Sequence, residues 1–122
     1  MKSNTLLLIA GLASAFYALF LIAAPGTFTE LHGITTDDYG LLFIRSTGAL
    51  SAGYMILGFG GSRLKSEDGL KLAVLTNFGA WFTMFCVMLF AMTSLNFNSF
   101  IYMDLGFCAL FSILFGIKAI SK

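Results

Sequence analysis

The chain has 122 residues, enough for one domain. Hydrophobic side chains make up 58% of it before its 13 Gly are counted, and charged side chains only 11%. A soluble domain carries about 25% charged residues. The balance excludes an ordinary soluble globule and a disordered chain. A net charge of +1 removes any electrostatic case for nucleic acid. The remaining class is a protein whose solvent is lipid.

A bilayer-spanning helix needs about 20 mostly apolar residues. Four such spans fit, at about 5–24, 39–60, 70–94 and 99–120. None alternates with period two, so a β-barrel does not fit. The predicted fold is all-α: an integral membrane four-helix up-down bundle, one domain over 1–122. The first span opens like a signal peptide, with Lys2, a leucine run and Ala13-Ser14-Ala15. Its apolar run continues through Ile22, so it reads as a retained helix.

The first loop runs from Pro25 to Asp38. Thr27 and Glu30 match a capping box. A short amphipathic helix is predicted here, with Phe28 and Leu31 dipped into the membrane interface and Gly33 ending it. His32 is the sole histidine. No second ligand stands at metal spacing, so it reads as a surface residue and no metal site is expected. Thr36 or Asp37 is placed to cap the second span.

In the second span Arg45 is a charge at lipid depth, which is a functional-site hypothesis by default. Gly48, Ala49 and Ala52 lie on its face, which predicts an inward direction. The second loop, Ser62 to Asp68, mixes both signs. Deeper in the third span, Asn77 matches the depth of Tyr54 and Ser112, and interhelical hydrogen bonds are expected among them. Met84, Met88 and Met92 form a stripe that reads as packing or lipid contact before Cu(I) binding. The third loop, around Asn96 to Asn98, is predicted to be a tight turn.

The fourth span carries the other intramembrane charge, Asp104, with Cys108, Ser112 and Gly116 continuing its face. Arg45 and Asp104 lie at similar depth, roughly 8–10 Å below the outer side at 1.5 Å per residue. Tyr17 in the first span matches that depth. An Arg45–Asp104 pair with Tyr17 as third member is therefore predicted. Cys86 and Cys108 sit in apolar runs without CxxC spacing and read as free thiols.

Six of the seven Lys and Arg fall on one side: Lys2, Arg63, Lys65, Lys71, Lys118 and Lys122. That places both termini on the cytoplasmic, matrix or stromal side of a bacterial inner membrane or organelle membrane.

The order of features is also familiar. A first helix ends in Pro25, with Phe28 and Gly33 after it. Arg45-Ser46-Thr47-Gly48 and Gly53 follow in the second span, and a carboxylate lies near the start of the fourth. This pattern resembles the small four-helix membrane families grouped as DoxX-like. The resemblance implies a fold and a membrane location and no single activity. The fourth-helix acid of that group is often Glu, where this chain has Asp104.

No nucleophile–base pair, phosphate loop or multi-His motif is present, so an independent enzyme is not expected. The first functional expectation is a non-catalytic accessory, assembly or scaffold subunit of a larger membrane complex, respiratory or photosynthetic for example. Its partners would be membrane lipids and other integral subunits. The alternative is a stand-alone binder or carrier of a small amphiphile, such as a lipid, quinone or pigment, held by Arg45, Asp104 and Tyr17. No cofactor is expected beyond such a bound lipid or pigment. A cavity bordering the polar cluster would favour the binder, and a close-packed interior the subunit.

Overall fold

The computed structural model describes residues 1–121; Lys122 lies outside them. Five helices follow in order: α1 (Ser3–Ala23), α2 (Pro25–Leu31), α3 (Asp38–Gly61), α4 (Glu67–Ser94) and α5 (Ile101–Ile120). No strand occurs among the described residues. α1, α3, α4 and α5 are each long and apolar enough to cross a membrane.

The boundaries follow local chemistry. α1 stops where Pro25 cannot continue its hydrogen-bond ladder, and Pro25 then occupies the first turn of α2. The Thr27–Glu30 capping box is therefore not used: α2 has no side-chain cap, and both residues are exposed within it. Gly33 ends the turn after α2 with φ +70°, a left-handed conformation that suits glycine. Asp37 caps α3, its carboxylate accepting from the Gly40 N–H at 2.9 Å. α4 starts three residues before the predicted span. Ser66 caps it, and Glu67 and Asp68 in its first turn suit the positive helix end. α5 starts two residues late because Asn98 Oδ1 accepts from the Phe100 N–H and holds a turn there.

The bundle is built from two antiparallel pairs. α1 packs on α3 through glycine. A Cβ placed on Gly58 would lie 2.5 Å from Gly11 Cα and 2.7 Å from Gly11 N, so the two backbones are in direct contact. Gly48 lies almost as closely against Leu21 and Ile22 near the other end, where its Cβ would come within 2.8 Å of Ile22 Cγ1. α4 packs on α5 through aromatic rings, with Trp81 stacked on Phe111 at 4.6 Å.

The buried hydrophobic core that joins the two pairs lies at one end. Leu6, Leu7 and Ala10 of α1, Ala73 and Val74 of α4, and Phe111 and Phe115 of α5 form the buried core there. Asn4 Nδ2 ties the α1 start to the α3–α4 loop by donating to the Ser62 and Leu64 carbonyls. Lys2, Arg63, Lys65 and Lys71 cluster at this end. α2 and the α4–α5 loop close the opposite end.

Candidate functional site

Between the two helix pairs, at the end away from the core, lies a cavity of about 280 Å³. Trp81 lines it on the side of the core, being stacked on core residue Phe111. Phe28, Ile34 and Phe97 cover its outer end. Apolar atoms dominate the walls; Tyr17, His32 and Asp104 meet at one corner, and the hydroxyls of Ser14, Thr47, Ser51 and Tyr54 stand elsewhere along the lining.

Asp104 lies in the first turn of α5, where a carboxylate suits the helix dipole. Its Oδ1 accepts from the Tyr17 hydroxyl at 2.5 Å. Its Oδ2 contacts His32 Nε2 at 2.8 Å. The other ring nitrogen of His32, Nδ1, lies 2.7 Å from the Phe28 carbonyl oxygen. A carbonyl only accepts, so Nδ1 carries a proton and donates it. The Nε2–Oδ2 contact then also holds one proton, on either partner. With it the pair is neutral overall, and both side chains are nearly fully buried.

α2 is what brings His32 inward. Pro25, Phe28, Thr29 and His32 stand at i, i+3, i+4 and i+7, one face of a helix. Pro25, Thr29 and His32 are buried, and Phe28 is half-buried. The Phe28 ring lies 4.2 Å from the imidazole, and Phe100 meets it edge-on at 5.5 Å. Leu31, at the edge of that face, is exposed. Phe28 thus points into the cavity and not outward beside Leu31 as expected. His32 is the acid's buried partner and not a surface residue.

Arg45 takes no part. It is exposed on α3 and forms no salt bridge among the described residues. The face of α3 that meets α1 and the cavity runs through Ile44, Gly48 and Ser51. Arg45 stands about 100° round the helix from Ile44, and Ala49 is exposed with it. Arg45 lies two turns from the α3 start, where a long side chain can carry its charge to the interface. The predicted Arg45–Asp104 pair is replaced by His32–Asp104, with Tyr17 on the other carboxylate oxygen.

The second polar group is local. Asn77 Nδ2 donates to the Ala73 carbonyl, and Ser112 Oγ to the Cys108 carbonyl, each within its own helix. Asn77 is fully buried, and its Oδ1 has no partner among the described residues. Tyr54 lines the cavity instead. The expected interhelical bonds among these three are absent from the described residues, because helix backbone carbonyls offer nearer acceptors.

Asn98, which the sequence reading passed over, fastens the cavity's cover. Its Nδ2 donates to the Leu31 carbonyl at 2.6 Å, and its backbone N–H to the His32 carbonyl at 3.1 Å. The α4–α5 loop is thereby tied across the bundle to the end of α2. The cavity also receives Met84, Met88 and Cys108, with Cys108 Sγ 3.7 Å from Met88 Sδ. Both cysteines are free. No group of three His, Cys, Asp or Glu side chains that could hold a metal ion occurs among the described residues.

No family model matches the chain, and no curated protein or solved structure matches it either. The site's geometry is therefore the ground for a functional reading.

Proposed function

We propose that the chain is an integral membrane protein that binds a small, mostly apolar molecule from the bilayer. The molecule's one polar group would rest against Tyr17 and Asp104. The observation that carries this reading is the cavity of about 280 Å³, mostly apolar in its walls and meeting its buried ionisable groups at the Tyr17–Asp104–His32 corner. Ligand sites combine these same parts: apolar walls and a few convergent polar groups. An accessory subunit of a larger complex needs no such space, so the binder reading ranks first.

Lipid is also the natural source of the ligand. Tyr54 is 38% exposed and Met84 40%, yet both line the cavity. The space therefore reaches the bundle's flank between α3 and α4. At about 280 Å³ it is just below the usual range for small-molecule pockets, about 300–1,000 Å³. It suits a headgroup and the first part of a chain, with the remainder lying along the flank in the bilayer. The basic end would face the cytoplasm, matrix or stroma, which puts the cavity in the opposite leaflet.

Cys108 provides the test, because it is buried against the cavity while Cys86 is exposed. In a Cys86→Ser background, the purified chain is treated with a small uncharged maleimide. Adding lipid extracted from the source membrane should slow alkylation of Cys108. A rate unchanged by that extract would contradict the reading.

A further inference from the structure

The hydrogen-bond inventory of the cavity specifies the polar group it takes. Three protons sit in the Tyr17–Asp104–His32 corner, and all are engaged inside it. The Tyr17 proton goes to Asp104 Oδ1, the Nδ1 proton of His32 to the Phe28 carbonyl, and the third lies between Nε2 and Oδ2. This holds whichever partner carries the third proton. What the corner leaves free is lone pairs only, on the Tyr17 hydroxyl oxygen and the Asp104 carboxyl oxygens.

The α3 wall repeats the pattern. Thr47 Oγ1 donates to the Phe43 carbonyl, and Ser51 Oγ to the Thr47 carbonyl. Both line the cavity, and both turn only acceptor capacity toward it. Two lining hydroxyls, Ser14 and Tyr54, have no hydrogen-bond partner among the described residues. Ser14 is buried, one turn along α1 from Tyr17.

We infer that the ligand is an alcohol or a phenol: a membrane-soluble molecule whose polar end is a hydroxyl that donates to the Tyr17–Asp104 corner. The inference rests on the binding function proposed above and names its ligand class. A hydroxyl donates to the lone pairs of the corner and can accept from Ser14. A ketone, ester or ether has no proton to give. It would leave the corner's buried acceptors facing apolar atoms once water is expelled, which carries a desolvation cost. A carboxylate would bring a net negative charge and no donor to a corner that is neutral overall and offers only acceptors. The corner therefore discriminates by hydrogen-bond direction more than by size.

Trp81 is the sole tryptophan and lines the cavity, so its emission reports occupancy. The full chain in lipid nanodiscs is titrated with a fatty alcohol carrying bromine on its chain, and with the methyl ether of the same compound. Bromine quenches indole emission on contact. The expected result is saturable quenching by both, with the alcohol half-saturating at about fivefold lower concentration. That ratio is the size of one net hydrogen bond. Asp104→Asn keeps an acceptor for Tyr17 and a donor for His32 but adds a free N–H to the corner, so it should narrow the ratio toward one. Equal half-saturation of the wild-type chain by alcohol and ether would overturn the hydroxyl inference and leave the binding function standing. An unchanged ratio in Asp104→Asn would overturn the assignment to this corner. Absence of saturable quenching by either compound would overturn the binding function and this inference with it.

Discussion

Asp104 was legible as a functional candidate because a carboxylate at lipid depth is costly and must have partners. Depth arithmetic also selected Tyr17. It chose the wrong basic partner, since Arg45 stands at the right height on the wrong face. His32 is 72 positions away from Asp104 and belongs to a loop, where neither periodicity nor depth draws attention to it. One signal did exist. Pro25, Phe28, Thr29 and His32 fall on one face of a short helix, opposite Glu30. The inward proton-sharing role of His32 separates two substitutions. Asp104→Asn accepts from Tyr17 and donates to Nε2, so it reproduces the hydrogen bonds of the protonated acid. It should leave the thermal unfolding midpoint in detergent nearly unchanged. His32→Ala strands a buried carboxyl group, and losing one member of such a pair costs about 3–5 kcal/mol. Its midpoint should fall steeply. If the two variants unfold together, the hydrogen-bond assignment is wrong.

At the element scale, the four long helices could be read from composition and length. Their ends could be read where a cap stood next to the apolar run, as at Asp37. They were misread where a polar stretch was itself helical, as at Glu67 and Asp68 behind the Ser66 cap. Small residues marked packing faces without saying which helix would meet them. Gly11 and Gly48 do lie in the α1–α3 contact, whereas Gly53, also a small residue of α3, meets nothing within 4 Å. Gly58 is the tightest point of that contact. Gly58→Ala would drive a Cβ into the α1 backbone, where no rotamer can relieve it. We expect a loss of about 1–3 kcal/mol, read as a shift in the helicity lost on denaturant titration. Gly53→Ala should be neutral or slightly stabilising, since alanine is the better helix former by about 0.5–1 kcal/mol. Equal effects at the two positions would show that α1 and α3 do not approach this closely.

For the whole molecule, the division of labour runs along the bundle. One end is filled by the core around Leu6, Leu7, Phe111 and Phe115. The other holds open space under a cover that Asn98 fastens. Such a division cannot be read from a sequence, because both ends use the same residue types. Whether facing side chains meet or miss depends on how the two helix pairs splay, a property of backbone geometry. The charge pattern, by contrast, showed in the sequence: the basic residues mark the end that holds the core.

The central claim is that the open end holds a membrane-derived molecule. Native mass spectrometry tests it most directly, on the chain extracted from its own membrane in mild detergent and compared with Ala80→Phe. Ala80 is half-buried and lines the cavity, so a phenylalanine there fills the space. The expected result is a wild-type chain carrying a small adduct that dissociates on activation, and a variant folded without it. A wild-type chain that carries no adduct, or a variant that retains the same one, would contradict the claim.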